Sequence, residues 1–322
     1  MAGGLGLALS GGGAHGAFQV GVLDELITRR GVDFESVVGT STGAIQAAAV
    51  AQDSVDELLD FWTGISGPGD IYKSRGGEIW AVITGKNSLY SVGPLHELLR
   101  GAYKDERIRA TGKNLRLAVV NLTTGEFRTI AETTDNITDW VLASSAQPPF
   151  FPPWETRDDQ GRREQWVDGG VKDVTPYNAI LELRPRAILA VRAEAPLVRE
   201  RKRYDNIIKI GLRSVELLTR EVSDSDLDGI ELVNDILRAA AAQKAQLASL
   251  GLTPAQIDTA MAPLRERIDR YALIPTMVIE PATNLYETID FIPELILQNI
   301  ERGREAVRSD WPNIASFLGV PE

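Results

Sequence analysis

The 322-residue chain has no cysteine and only two histidines, His15 and His96. The missing cysteines exclude disulfides, thiolate nucleophiles, Cys-ligated zinc and iron–sulfur clusters, and they leave the redox compartment open. The shortage of histidine argues against a His-rich metal site and leaves few partners for a Ser-His-Asp triad. Composition leaves open only a carboxylate-bound Ca²⁺, and no cofactor is called for. Positive charge is also short: 34 basic against 45 acidic residues give a net charge of −11. Nucleic acid is therefore a poor partner, and only a local basic patch would draw the chain to an anionic membrane. No apolar run approaches the roughly 18 residues that span a bilayer. The start, Met1-Ala2-Gly3-Gly4-Leu5, has no basic region of the kind that opens a signal peptide. The expected location is the cytoplasm or the periphery of a membrane.

What is present reads as a globular protein, 43% hydrophobic and 25% charged. That length suits one large domain, a domain with an insertion, or two domains. Strand-like and helix-like segments alternate along the first half, the pattern of an α/β fold. Residues 5–10 and 33–38 read as strands, and residues 16–30 and 43–51 as helices; residues 53–63 look helical. Residues 64–92 are rich in glycine and serine, with Tyr72, Trp80 and Tyr90 among them. A helix at 93–104, a hairpin at 115–131 and a helix at 135–146 follow. The prolines between Pro148 and Trp154 prevent a continuous helix there. Trp166-Val167, residues 187–191 and residues 276–279 are further strands. Residues 203–270 are almost wholly helical in pattern and more charged. The expected division is a core at 1–202, a helical insertion or lobe at 203–270, and a return to the core with the last strand and C-terminal helices at 271–322.

Two glycine-rich turns carry the chemistry. Gly11-Gly12-Gly13-Ala14-His15-Gly16 joins a strand to a helix and fits G-x-G-x-x-G. Such a turn crowds backbone N–H groups into an anion site, for a phosphate or for an oxyanion. Read as a dinucleotide loop, it would take Asp33 or Glu35 as the ribose ligand. Gly39-Thr40-Ser41-Thr42-Gly43 fits G-x-S-x-G, again between a strand and an alanine-rich helix, where a strained turn lifts a serine hydroxyl out of the backbone. That serine needs a base. His96 lies on an amphipathic helix and reads as a surface residue, and His15 lies inside the glycine loop. A carboxylate remains, and Asp168 in Trp166-Val167-Asp168-Gly169-Gly170 is the best placed, at a strand end where two glycines permit close approach. Asp158 and Asp159 sit in a polar turn and read as solvated.

In this order the three motifs resemble the patatin-like phospholipase family. Two further segments look like it: Ala143-Ser144-Ser145-Ala146-Gln147-Pro148-Pro149-Phe150-Phe151-Pro152-Pro153 before the aspartate, and Ser91-Val92-Gly93-Pro94-Leu95 opening a helix. The resemblance covers residues 5–192, with weaker support near 276–280. It implies a three-layer α/β/α fold around a mostly parallel sheet. It also implies a dyad of Ser41 and Asp168 without histidine, an oxyanion hole in the loop Gly11, Gly12, Gly13, Ala14, His15, Gly16, and hydrolysis of lipid esters. The family usually has Arg or Lys where this chain has His15, which would replace that cation only when protonated. A lone carboxylate is a weak base, so Asp168 is expected in a poorly solvated pocket.

Three other readings compete: an acyltransferase on the same dyad, a dinucleotide-binding oxidoreductase on the first glycine loop, and a catalytically silent binding module. Residues 64–90 are a candidate cover for an acyl channel. Arg199-Glu200-Arg201-Lys202-Arg203, followed by Ile207, Ile208, Ile210 and Leu212, is a candidate contact for a lipid surface or an ordinary solvated face.

Overall fold

The computed structural model describes residues 3–74, 87–196, 203, 207–269 and 271–321. Its strands are β1 (Leu5–Leu9), β2 (Ser36–Thr40), β3 (Lys73–Ser74), β4 (Tyr90–Ser91), β5 (Asn114–Asn121), β6 (Phe127–Ala131), β7 (Trp154–Arg157), β8 (Arg163–Asp168), β9 (Ala187–Val191) and β10 (Thr276–Ile279). One sheet runs β10-β9-β1-β2-β5-β8-β7, with β6 also on β5; β3 and β4 pair separately. From β10 to β5 every pairing is parallel, and β6, β8 and β7 are antiparallel additions.

Every residue of β1, β2 and β9 is buried because both faces of the sheet are covered. Leu7 and Leu9 of β1 face a large core with Phe18, Val37, Ile45 and Ile300, whereas Ala8 faces a second core with Val38, Tyr177, Ile188 and Ile230. Helices α1 (Gly16–Leu23) and α2 (Thr42–Ala51), helices Val55–Thr63 and Ile137–Ser144, and the C-terminal helices Pro293–Ser309 and Trp311–Leu318 cover the first face. Tyr177–Glu182 and part of the long helix Ile207–Ser249 cover the other. The result is a three-layer α/β/α fold.

The long helix runs against the strand direction. Its Asp224 pairs with Arg192, just past the end of β9, while Asn234 exchanges hydrogen bonds of 2.9 and 3.2 Å with Ile274, before β10. At 1.5 Å per residue, residues 207–223 therefore reach about 25 Å beyond the C-terminal ends of the strands. The other end pairs with helix Pro254–Ile268 around Ala240, Ile257 and Met261, started by a capping box of Thr253 and Gln256. The helical pattern of residues 203–270 thus resolves into a hairpin of two unequal helices.

The chain's C-terminal part is built into the first core. Helix Pro293–Ser309 crosses α1 backbone to backbone: a Cβ on Gly21 would lie 1.8 Å from the Ile300 carbonyl, and one on Gly303 would lie 2.0 Å from that of Phe18. Beside this crossing the buried Asp24 carboxylate receives Arg304 at 2.6 Å and Arg29 at 2.9 Å.

Local readings shift where short elements depend on tertiary partners. The strand expected at 33–38 is Ser36–Thr40, because Gly31 turns at φ 68° and residues 32–35 complete the connection. The helix expected at 93–104 stops at Leu99, and a second helix, Asp105–Thr111, follows. Trp166-Val167 is the end of a longer strand, because β7 pairs with β8 across the Asp158–Gly161 turn.

Gly303→Ala should lower stability to urea by about 2 kcal/mol or more, through overpacking at the helix crossing. Gly229→Ala, in the long helix with open space around its Cβ, should raise it by about 0.5–1 kcal/mol. Equal midpoints for the two variants would contradict the crossing.

Candidate active site

The site forms where β1, β2 and β8 end. Ser41 follows β2 directly and holds φ 58° and ψ −124°, a strained conformation for a residue with a side chain. The neighbouring glycines make the turn sterically feasible. A Cβ on Gly39 would lie 2.1 Å from the Gly43 carbonyl, and one on Gly43 would lie 2.3 Å from that of Leu9. The first glycine loop packs against the same turn: a Cβ on Gly11 would meet the Ser41 Cβ at 3.2 Å. Ser41 also stands at the N-cap of α2, where the helix dipole favours negative charge.

Asp168 arrives from the opposite direction. The β5 edge opposite β6 is shared, since Thr40 pairs with Ala118 and Asp168 with Val119. Parallel β2 and antiparallel β8 thus meet end to end along β5, which places Ser41 and Asp168 side by side. Gly169 must then turn over the strand, where a Cβ would lie 2.5 Å from the Ala118 carbonyl. A brace ties the pieces together. The Ser41 N–H donates to Ser144 Oγ at 3.0 Å, and that hydroxyl donates to the Ala118 carbonyl at 2.7 Å. The Asp168 N–H donates to Ala146 O at 3.1 Å.

The electrostatics follow from burial. Asp168 is 2% exposed, and the loss of water pushes its carboxyl up from 3.8 to about 7. The Ser41 hydroxyl and the Gly170 amide oppose that shift by favouring the charged form. Gly170 N–H binds Oδ1 at 2.7 Å, while Oδ2 is buried with no hydrogen-bond partner among the described residues. A carboxylate in this state is a base poised near neutrality.

In the glycine loop, four of the six backbone amides are already engaged. The amide of Gly11 donates to Val174 O at 2.9 Å, that of Ala14 to Thr288 O at 2.7 Å, and that of His15 to Gly12 O at 3.1 Å. Gly16 opens α1, and its N–H turns back to the carbonyls of Gly13 and Ala14. The amides of Gly12 and Gly13 donate to no acceptor among the described residues. The expected six-residue oxyanion site therefore narrows to these two donors. His15 does not face the serine. It is 3% exposed, with Nδ1 3.1 Å from Glu194 Oε1 and Nε2 2.6 Å from the Tyr286 carbonyl.

The remaining candidates lie elsewhere. His96 is half-buried and meets the Trp154 ring edge-on at 5.0 Å. Asp158 closes the β7–β8 turn against Arg162 at 2.6 Å. The dinucleotide reading fails on geometry, because Asp33 and Glu35 precede β2 and sit at the opposite end of the sheet from the glycine loop. There Asp33 pairs with Lys113, and Glu35 accepts the Gly4 N–H at 2.7 Å. In the candidate cover, Tyr72 and Tyr90 join Phe150, Phe151 and Phe291 in an aromatic cluster, with Tyr72 and Tyr90 centroids 4.6 Å apart. Trp80 and residues 199–202 lie outside the described residues. Ser144, Glu194, Tyr286 and Thr288 have no motif of their own, although Ser144 belongs to the Ala143–Pro153 segment.

Between the ordinary carboxyl value and about pH 7, the folded protein keeps a proton on Asp168 that the unfolded chain has released. Stability from this group therefore falls as pH rises through that window. Asp168→Asn should raise the melting temperature at pH 8, by the equivalent of a few kcal/mol at most, and the gain should shrink toward pH 4. Thermal denaturation of both proteins across that range checks this. A gain that is absent, or larger at pH 4, would contradict the buried charge.

Residues 7–181 match the patatin-like phospholipase family. A cGAMP-activated phospholipase of Escherichia coli (strain TW11681) is 29% identical over 204 residues, which are 55% of this chain and 55% of that protein. An uncharacterised NTE family protein of Mycobacterium tuberculosis (strain CDC 1551 / Oshkosh) is 29% identical over 181 residues, 55% of this chain and 28% of its own. The chain thus matches about half, or less, of the length of these relatives. The crystal structure of VipD from Legionella pneumophila aligns with a TM-score of 0.44 at 16% identity, over 95% of this chain and 66% of that one. With the family match spanning more than half of the chain and containing both glycine turns, Ser41 and Asp168, this protein belongs to the patatin-like phospholipase family.

Proposed function

We propose that the protein is a serine lipid acyl hydrolase of the phospholipase A or lysophospholipase type, cleaving carboxylic esters of phospholipids, lysophospholipids or acylglycerols. One observation carries the reading: a buried carboxylate poised near neutrality stands beside a serine on a strained elbow, and both histidine rings make their contacts elsewhere. The His15 ring is committed to Glu194 and Tyr286, and the His96 ring rests on Trp154.

Ser41 Oγ attacks the ester carbonyl carbon as its proton passes to Asp168, with Oδ2 as the unoccupied oxygen. The Gly12 and Gly13 amides hold the oxyanion, assisted by the N-terminus of α2. Asp168 returns the proton to the departing alcohol. It then takes one from water, whose oxygen attacks the acyl-enzyme carbonyl, and passes that proton to Ser41 Oγ as the acyl–oxygen bond breaks and the fatty acid leaves. Removing one oxyanion donor typically costs about 10²–10³ in kcat, so the pose of this loop matters greatly.

Contact with a lipid surface fits the helix that overhangs this end of the sheet. Ile210, Leu217 and Leu218 are exposed along it, and the basic run of residues 199–203 precedes it in sequence. No helix among the described residues is long and apolar enough to cross a membrane. The test presents a panel of lipid esters in phosphatidylglycerol vesicles and reads released fatty acid by mass spectrometry, with Ser41→Ala as the blank. The expected result is release by wild type alone, with protein sedimenting with the vesicles. Release that persists in Ser41→Ala removes the nucleophile, and protein that stays in the supernatant removes the membrane contact.

A further inference from the structure

The Gly13-Ala14-His15 turn is held from outside by two remote segments. From the segment after β9 comes Glu194, and from the stretch before helix Pro293–Ser309 come Tyr286 and Thr288. Thr288 O accepts the Ala14 N–H at 2.7 Å, and a Cβ on Gly13, at φ 53°, would lie 2.3 Å from that carbonyl. Tyr286 Oη donates to Ala14 O at 2.9 Å. Asn299 Nδ2 donates to Tyr286 Oη at 3.2 Å and to His15 O at 3.4 Å, and Arg302 donates to Asn299 Oδ1 at 3.3 Å.

The His15 ring closes this network. Nδ1 faces the Glu194 carboxylate at 3.1 Å, which also receives Thr288 Oγ1 at 3.2 Å, and Nε2 faces the Tyr286 carbonyl at 2.6 Å. Both partners only accept. A neutral imidazole has one N–H and one lone pair, so it satisfies one partner and repels the other; the imidazolium satisfies both. The charged groups around the ring favour the cation: Glu194 and Glu287 raise its pKa above 6.5 despite the burial that lowers it.

We propose that His15 is a positioning residue for the acyl-transfer site: as an imidazolium clamped between Glu194 and the Tyr286 carbonyl, it holds the glycine loop so that the Gly12 and Gly13 amides face the reacting oxygen. Loss of that proton breaks one side of the clamp and frees the loop. The enzyme then works inside a pH window, with Asp168 deprotonated and His15 protonated. This rests on the hydrolase reading above, but its structural half does not.

The experiment has two readouts. In His96→Gln, whose substitution is remote from the site, the one remaining imidazole is followed by ¹⁵N NMR across pH. Its titration should lie above 6.5, and Glu194→Gln should move it lower. Exchange protection of the amides at Ala14 and His15 should fall through the same midpoint. Separately, kcat should decline on the alkaline side with that midpoint, about tenfold per pH unit, with KM little changed. His15→Lys, whose ordinary pKa of about 10.4 lies well above that of histidine, should restore alkaline kcat. An imidazole titrating at or below 6.5 overturns the proposal, as does an alkaline limb that is absent or unmoved in His15→Lys. Should the lysine variant fail to fold, an alkaline limb that Glu194→Gln leaves in place overturns it equally. If Ser41→Ala retains activity, the hydrolase reading fails by itself, and the NMR titration still decides the clamp.

Discussion

One edge of β5 receives two strands that approach each other head-on. β2 runs with β5 and ends at Thr40 opposite Ala118; β8 runs against it and ends at Asp168 opposite Val119. Neither strand has room to continue, so both chains must leave the sheet at the same point. The first does so through the strained Ser41 and the second through Gly169 folded over Ala118. The pairing of serine with aspartate is thus a consequence of register. A slip of one residue in β8 would turn Asp168 to the other face of the sheet. Ser144 fastens the junction by linking the Ser41 amide to the Ala118 carbonyl.

The same convergence excludes water, which sets the electrostatics. A carboxylate surrounded by strand ends and a glycine turn loses its hydration, and its pKa rises toward the working range of a general base. This costs folding free energy that the two cores must offset. The pocket is therefore useful and destabilising for one physical reason. The glycine loop shows the complementary arrangement. Two of its amides are satisfied by remote carbonyls and two within the loop, leaving Gly12 and Gly13 for the proposed oxyanion, and the C-terminal segment that supplies Tyr286 and Thr288 is anchored by the Gly21–Gly303 crossing. A helix packed on α1 thereby bears on the chemistry at the end of β1.

The legible part of this site is local. A nucleophile elbow needs small residues within five positions, so Gly39 to Gly43 shows in sequence, as does the strand-end turn at Asp168-Gly169-Gly170. The shortage of histidine directs attention to a carboxylate, and the strands at residues 5–10 and 187–191 show in sequence as β1 and β9. What was hidden depends on partners far along the chain. Glu194 and Tyr286 stand 179 and 271 residues from His15. Ser144 is one serine among several until β5 places Ala118 beside it. β7, with its alternating half-exposed residues, looks like a polar loop until β8 pairs with it. Asp33 and Glu35 show the converse error: their spacing from the glycine loop suits a nucleotide site, but the connection after α1 carries them to the far end of the sheet.

The central claim is that Asp168 alone activates Ser41. Phosphonylation by a fluorophosphonate, in which the serine oxygen displaces fluoride from phosphorus, followed from pH 5 to pH 9 with the labelled residue located by mass spectrometry, tests it most directly. The account predicts labelling at Ser41 with a rate that rises through about pH 7, loss of that rate in folded Asp168→Asn, and no change in His96→Gln. Labelling that persists in Asp168→Asn, or that disappears in His96→Gln, would contradict it.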